Sequence, residues 1–357
     1  MSLFWDRFQA VGNKTDFALT IANATNYNSA TMPLFSNPVP SWFFVTLIPI
    51  LSTLFCVLGL IGNGMVLFVL IRLLPKQSVP NIYIMNLASA DFLFLLGVPL
   101  LNHFNTTRQW NFGSTVCKLV MGIDGMNMFT GIYTLTIMAV DRFVAVVYAV
   151  PSRNYRTASV ARITCVVLWI LSAITALPLW MYAHVENNNN NTVCVVVGPK
   201  TIEFAFSVYS NLFGFCLPLL VILVCYVKIL QYLYQRRTQK GRRSRLGRVN
   251  ALILVAVILF VVCWAPFWGI QLLLMVSPNI SLSTAVQVTY YCTPLLSYIN
   301  SCCNPIIYTF FKHDFREMLH VICSVKYSKE SSSTYKAVDV NESKGTPLNS
   351  LTSIRES

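Results

Sequence analysis

Long apolar segments alternate with shorter polar segments along this chain of 357 residues. The apolar segments, numbered span one to span seven, lie at 43–72, 81–103, 117–148, 161–182, 204–233, 249–276 and 285–310. A helix of about 20 apolar residues crosses a bilayer, so each segment predicts one membrane-spanning helix. Charged and apolar residues alternate at helical spacing over 311–322, which predicts a short amphipathic helix on the membrane surface. The predicted fold is an all-α membrane protein, a seven-transmembrane helix bundle with one surface helix.

Span three carries an ionisable group near each end: Asp124 near one, and the pair Asp141-Arg142 near the other. From Asp124 to Arg142 a helix rises about 27 Å, close to the hydrocarbon thickness of about 30 Å. An ionisable residue inside a span is costly and marks a candidate functional site. For Asp124 the alternative is a carboxylate that only bonds a neighbouring helix.

The charge distribution predicts how the chain crosses the membrane. Charged residues make up 11% of the chain, against about 25% in soluble proteins. The net charge is +13, and Lys and Arg concentrate in the links after spans one, three and five. Because positive loops stay in the cytoplasm, we expect a multi-pass plasma-membrane protein with an extracellular N-terminus and a cytoplasmic C-terminus. No soluble basic domain stands out, so nucleic acid is not an expected partner.

This orientation divides the chain into an extracellular segment, a membrane domain with its surface helix, and a Ser/Thr-rich cytoplasmic tail expected to be disordered. Their bounds are 1–40, 41–323 and 324–357. Outer-side Asn-X-Ser/Thr sequons predict glycosylation at Asn13, Asn23, Asn105 and Asn190. Cys323, after the surface helix, is a predicted lipidation site that would carry palmitate.

The eleven cysteines show no metal-ligand spacing such as paired CxxC motifs. Only Cys117 and Cys194 lie in loop context at the outer face. An oxidising exterior favours a disulfide between them, which would hold the 183–203 loop across the top of span three. The alternative is a pair of unbonded thiols.

Short motifs occur once per span in a fixed order. They are Gly62-Asn63, LASAD ending at Asp91, Cys117 with Asp141-Arg142-Phe143, Trp169, Pro218 with Tyr226, Cys263–Pro266 and Asn304–Tyr308. In this set the chain resembles the rhodopsin-like (class A) G-protein-coupled receptors. The stretches IDGMNMFTGIYTLTIMAVDRF and LLSYINSCCNPIIY are most similar to the somatostatin, opioid and allatostatin-C-like peptide receptors.

The resemblance implies that Asp124 binds a basic group of a peptide ligand. The implied ligand-binding residues are Asp124, Met128, Phe267, Trp268, Gln271, Tyr290 and Tyr298. A carboxylate in a low-dielectric cavity attracts a cation strongly, and aromatic faces add cation–π attraction. Adjacent helix positions point about 100° apart, so one of Phe267 and Trp268 facing lipid remains an alternative.

The resemblance also implies an allosteric sodium ion at Asp91 in the resting state, and no other cofactor. The polar network around it would use Asp91, Asn63, Asn127, Asn300, Ser301 and Asn304. The chain departs from its relatives at Gly131, where a Ser hydroxyl is common, so one sodium ligand is in doubt. The alternative is a water-filled polar network without a fixed ion.

Further residues match the family's activation switch and its contact with the G protein. The switch would comprise Ile132, Pro218, Phe260, Trp264, Tyr226 and Tyr308, and the G-protein coupling residues Asp141, Arg142 and Phe143. Pro266, two residues after Trp264, predicts a kink in span six. Many relatives have an acid at the inner end of span six, but here the sequence is Arg245-Leu246-Gly247-Arg248. The resemblance implies that Asp141 holds Arg142 in the resting state, and an acid on span six would be a second clasp, that is, a second ionic contact holding Arg142 there. Because this second clasp is absent here, we expect appreciable basal signalling.

The resemblance implies a receptor for a neuropeptide with a basic group, coupled to Gi/o and inhibiting adenylate cyclase. The expected partners are an extracellular peptide, a heterotrimeric G protein, receptor kinases and arrestin at the tail, and membrane lipids. The alternative is a small-amine receptor, although span five opens VYSNLFGFCLP with one Ser. A retinal protein would need a Lys within span seven, and a transporter would favour repeated broken spans. No nucleophile–base pair can be placed, so an enzyme is not expected.

Overall fold

The structure is a computed structural model that describes residues 42–73, 78–107, 109–188, 191–235, 243–276 and 284–311. Several predicted features lie outside these ranges. They are the 1–40 segment with Asn13 and Asn23, the sequon residue Asn190, the surface helix from residue 312 onward, Cys323 and the 324–357 tail.

Helices occupy all seven predicted spans. In span one the helix Ile48–Phe68 is flanked by π-helical turns at Phe43–Leu47 and Val69–Leu73. The helices of spans two to seven are, in order, Val79–Thr107, Gly113–Val147, Ala158–Thr175, Lys200–Asn211 continuing to Gln235, Arg243–Val276 and Thr284–Phe311. In the described part of the chain, six of them are long and apolar enough to cross a membrane. Span seven is 28 residues long and contains Pro294 and Pro305.

Span two continues past its predicted end at residue 103, and the Asn105 sequon lies in its last turn. The hydroxyls of Thr106 and Thr107 donate to the carbonyl oxygens of Asn102 and His103, at 2.8 and 2.9 Å. These Thr side chains bond back to the preceding turn, and the polar sequence expected to form a loop is helical here.

Span four breaks at Ala176 and resumes as the short helix Leu177–Tyr182. Pro178 stands at the start of this second segment and has no N–H to continue the ladder. The Tyr209 hydroxyl of span five donates to the Thr175 carbonyl at 2.9 Å. Span five therefore binds a carbonyl at the break.

Two strands that the sequence did not indicate follow span four. Strand β1, Ala183–Asn188, pairs antiparallel with β2, Asn191–Val196, so that Val185 lies opposite Cys194. The Trp110 N–H donates to the Thr192 carbonyl at 2.7 Å, and the Thr192 hydroxyl donates to the Trp110 carbonyl at 3.0 Å. The loop after span two is thereby fastened to the hairpin.

Side-chain hydrogen bonds join the spans within the bundle. Trp169 Nε1 donates to Asn86 Oδ1, and Asn86 Nδ2 donates to Thr134 Oγ1, both at 2.9 Å. Asn63 Nδ2 donates to the carbonyls of Gly59 and Ser301 at 3.0 and 3.1 Å. Such polar contacts hold membrane helices together, where lipid provides little hydrophobic drive for association.

Candidate functional site

A disulfide between Cys117 and Cys194 confirms the predicted pairing, with the two Cα atoms 5.7 Å apart. The bond joins the outer end of span three to strand β2. With the Trp110–Thr192 hydrogen bonds, it fixes the hairpin above the outer end of the bundle. The hairpin therefore belongs to the outer boundary of the candidate ligand site.

Asp124 lies on span three, seven residues after Cys117, or about 10 Å of helix. It is partly exposed, although Met121 and Met128 on the same helix face are buried. Asp124 and Tyr298 of span seven lie close enough to interact electrostatically. The carboxylate therefore faces the bundle interior, where the resemblance implies a ligand.

Span six contributes an aromatic wall near this level. Phe267 and Trp268 are 4% and 2% exposed, so the alternative that one of them faces lipid is wrong. Trp268 stacks on Phe215 of span five with ring centroids 5.9 Å apart, and Phe267 meets Trp264 edge to face at 5.8 Å. Both residues therefore pack inside the bundle.

Gln271 is also buried on this helix. Within the described part of the chain, Gln271 Oε1 and the Nε1 atoms of Trp264 and Trp268 make no hydrogen bond. A buried polar atom without a partner is costly, and a hydrogen bond would relieve that cost. Tyr290 lies on the helix of span seven, but its side chain is outside the described part.

Ser210, the one serine of the stretch VYSNLFGFCLP in span five, is buried and turned into its own helix. Its hydroxyl donates to the Ser207 carbonyl at 3.3 Å. Amine receptors usually direct span-five serines at the ligand, so this arrangement disfavours the small-amine alternative.

Asp91 lies in the middle of the bundle and is 2% exposed. The Ser301 hydroxyl donates to its Oδ1 at 2.7 Å, and Asn304 Nδ2 donates to its Oδ2 at 2.8 Å. Span seven therefore binds both oxygens of this span-two carboxylate. Asn63, by contrast, bonds backbone carbonyls of spans one and seven.

A cavity of about 10 Å³ adjoins Asp91, near the smallest volume that admits one water molecule. Its lining includes Asp91, Asn127, Gly131, Trp264, Asn300 and Asn304. Asn127 Oδ1 is buried and has no hydrogen-bond partner among the described residues. A carboxylate and a spare amide oxygen are ligands that a hard cation prefers, so the donors here fit a small cation.

The predicted switch residues are all buried: Ile132, Pro218, Phe260, Trp264, Tyr226 and Tyr308. Phe260 stacks on Trp264 with ring centroids 5.8 Å apart, and both line the cavity. The Tyr308 hydroxyl is buried and lacks a hydrogen-bond partner among the described residues. The aromatic pair thus links the polar cavity to the inner half of span six.

At the inner end of span three, Arg142 bonds its neighbour Asp141 through Nη2 and Oδ2. Arg156, from the link to span four, bonds both carboxylate oxygens of Asp141, with Nε–Oδ1 at 2.8 Å and Nη2–Oδ2 at 2.9 Å. Phe143 packs edge to face on Tyr148, with ring centroids 5.7 Å apart. The sequence marked Arg156 only as part of a positive loop, because its contact depends on how that loop folds back.

Comparison with known proteins agrees with these features. Residues 62–308 match the model of the 7 transmembrane receptor (rhodopsin family). The chain is similar to human somatostatin receptor type 3, with 38% identity over 300 residues that cover 80% of this chain and 71% of the relative. For rat type 1 the identity is 35%, covering 78% and 72%, and for rat type 5 it is 35%, covering 85% of both chains.

The family match, the helices in all seven spans and the outer disulfide confirm the resemblance inferred from the motifs. Proteins of this family are membrane receptors rather than enzymes, in agreement with the expectation from the sequence. The chain belongs to the seven-transmembrane receptors of the rhodopsin family.

Proposed function

We propose that this receptor binds an extracellular peptide of the somatostatin type through a basic side chain, and activates a heterotrimeric G protein of the Gi/o class. Activation then inhibits adenylate cyclase. The observation that carries the proposal is the placement of Asp124 on the interior side of span three, near Tyr298. The relatives named somatostatin receptors support the class of peptide.

The chemistry of the outer site supports a cationic group on the ligand. Asp124 is partly exposed, while the methionines one turn before and after it are buried. An acid surrounded by apolar side chains interacts with a cation through a low local dielectric. Trp268 and Gln271 add an N–H donor and an amide oxygen for the polar groups of a peptide.

A G-protein activation assay with somatostatin and a panel of basic neuropeptides tests this assignment. It compares wild type, Asp124→Asn and the control Glu342→Gln, which removes an acid from the 324–357 tail. We expect one peptide to activate wild type and Glu342→Gln equally, and to lose at least about tenfold in potency on Asp124→Asn, equivalent to roughly 1.4 kcal/mol. A peptide that activates all three receptors equally would leave Asp124 with a structural role. An amine that activates where every peptide fails would favour the alternative.

We further propose that the cavity at Asp91 holds a sodium ion in the resting state. Asp91 and Asn127 would supply the oxygens, and Gly131 supplies none. A bound cation would add charge neutralisation in the core and so favour the resting arrangement. Sodium chloride should then lower ligand-free G-protein activation more than an equal concentration of choline chloride does.

The sequence supports further proposals for the terminal regions. We propose an extracellular N-terminus and a cytoplasmic tail that receptor kinases modify for arrestin, with serines such as Ser328 and Ser331 as acceptors. Replacing the tail Ser and Thr residues by Ala should slow internalisation. Epitope tags should be detected on intact cells at the N-terminus only.

A further inference from the structure

The carboxylate of Asp141 is shared unequally between two arginines. Arg156 bonds both of its oxygens, whereas Arg142 reaches only Oδ2, which Arg156 also uses. A guanidinium that binds a carboxylate through two nitrogens holds it more specifically than a single contact does. Arg156 is therefore the principal counter-ion of Asp141, and Arg142 the secondary one.

The surroundings of Asp141 exclude most of the water that would otherwise solvate it. Its side chain is 8% exposed, and that of Arg142 is 10% exposed. A buried carboxylate left without a counter-ion carries a large desolvation cost. If Arg142 left a carboxylate that had no other partner, that cost would oppose the movement.

The loop that carries Arg156 is held in place by its own hydrogen bonds. The 3-10 turn Pro151–Asn154 is followed by bonds from the N–H groups of Tyr155 and Arg156 to the Ser152 carbonyl, at 3.1 and 3.0 Å. Thr157 then caps span four by accepting from the Val160 N–H at 3.3 Å. Arg156 is thus fixed between a closed turn and a capped helix.

Asp141 is the one acid close to Arg156 along the sequence. Asp141 is the single acidic residue between Asp124 and Glu186, and none occurs from Glu203 to Asp314. Span six, which carries the acid that clasps Arg142 in many relatives, has only basic charges at its inner end. The ionic contacts of the inner end are therefore confined to span three and the loop after it, within the described part of the chain.

We propose that Arg156 is a positioning residue for signalling: it remains on Asp141 when Arg142 moves to the G protein, and so lowers the free-energy cost of releasing Arg142. In this arrangement Arg156 favours activation. Its loss leaves Arg142 as the remaining cation on Asp141 and strengthens that resting pair. This outcome is opposite in sign to that of a clasp, whose removal raises basal activity.

The test measures ligand-free nucleotide exchange on purified G proteins by receptor reconstituted at matched amounts, so it does not depend on the peptide. A panel of Gα families is used, and the family that responds most strongly is followed. We expect Arg156→Gln to lower the exchange rate about fivefold or more, the effect of roughly 1 kcal/mol on the equilibrium. The exchange rate of Arg156→Lys should lie between those of wild type and Arg156→Gln, because an ammonium keeps the charge but cannot form the two-nitrogen contact.

Arg153→Gln is the matched control, since Arg153 is an exposed arginine of the same loop and has no ion pair among the described residues. Its exchange rate should stay within about twofold of wild type. Asp141→Asn should raise the rate, and Asp141→Asn with Arg156→Gln should match Asp141→Asn alone. That dependence on Asp141 separates positioning from a general loss of loop structure.

Several results would overturn the proposal. One is a higher rate in Arg156→Gln, which would make Arg156 a clasp. Another is that Arg156→Gln lowers the exchange rate by the same factor when it is added to Asp141→Asn, or that Arg153→Gln lowers the rate as much as Arg156→Gln does. A third is a wild-type rate equal to that of the G proteins alone. Thermal unfolding reports whether each variant is folded. If Arg156→Gln does not fold, the exchange rates of Arg156→Lys, alone and combined with Asp141→Asn, test the proposal instead.

Discussion

Leu179 lies directly against the backbone of Gly125: a Cβ built on this glycine would stand 2.2 Å from Leu179 Cδ1. One turn outward, a Cβ on Gly122 would stand 2.2 Å from the indole of Trp180. The helix Leu177–Tyr182 therefore packs tightly against span three at Gly122 and Gly125, which flank Asp124 in the sequence. Because neither glycine has a side chain, the two helices can approach this closely beside the acid.

Replacing Gly125 by Ala should lower the stability of the receptor, because the added methyl group collides with Leu179. Overpacking of this kind costs about 1–3 kcal/mol. The double variant Gly125→Ala, Leu179→Ala should lose less stability than the sum of the single variants, since the second change makes room for the first. Thermal unfolding of purified receptor measures all three.

Gly269→Ala is the control for this comparison. Gly269 is an exposed helical residue, and no described atom lies within 4 Å of a Cβ built on it. Alanine is favoured over glycine within a helix by about 0.5–1 kcal/mol. This variant should keep or gain stability, and an equal loss at residues 125 and 269 would contradict the packing argument.

Replacing Gly131 by Ser should strengthen the inhibition by sodium. A Cβ at this position meets only Leu87 Cδ1, at 3.9 Å, so the side chain fits beside the cavity and brings a hydroxyl oxygen. We expect the sodium concentration that halves ligand-free exchange to fall about fivefold, for roughly 1 kcal/mol of added interaction. Gly131→Ala adds the same Cβ without oxygen and should leave that concentration unchanged, while Asp91→Asn should abolish the effect. A like response of the Ser and Ala variants would argue against a cation at this place.

Replacing Thr192 by Val should loosen the hairpin, since it removes the hydroxyl that donates to the Trp110 carbonyl. The expected loss is about 1 kcal/mol of stability. Thr192→Ser keeps the donor and should be near wild type in thermal unfolding. Because Thr192 also completes the Asn190 sequon, Asn190→Gln is measured beside it. If that variant alone reproduces the loss, the effect comes from the sequon and not from the hydrogen bond.

Removing the disulfide should cost about 4 kcal/mol, as expected for a crosslink that closes a long loop. Cys117→Ala, Cys194→Ala and the double variant should show the same loss of surface expression and ligand binding. Cys216→Ala changes an exposed free cysteine and should resemble wild type. A double variant much worse than either single variant would mean that the two cysteines act separately.

The sequence determined the membrane helices and the candidate chemistry along each of them. A helix satisfies its backbone hydrogen bonds within its own segment, so in a bilayer an apolar run of sufficient length is enough to predict one. Motifs such as the one ending at Asp91 and Asn304–Tyr308 are local for the same reason. The pairing of Asp91 with Ser301 and Asn304 was anticipated through the resemblance, since the residues lie more than two hundred positions apart.

Only the tertiary structure decided contacts that depend on how helices rotate and loops fold back. The bond from Tyr209 to the Thr175 carbonyl requires both the break in span four and the rotation of span five. The contact of Arg156 with Asp141 requires a particular turn between two helices. Hydrophobic length fixes where a helix crosses the membrane, but neither its rotation nor its distance from a neighbour, because lipid solvates every apolar face alike and packing between helices sets both.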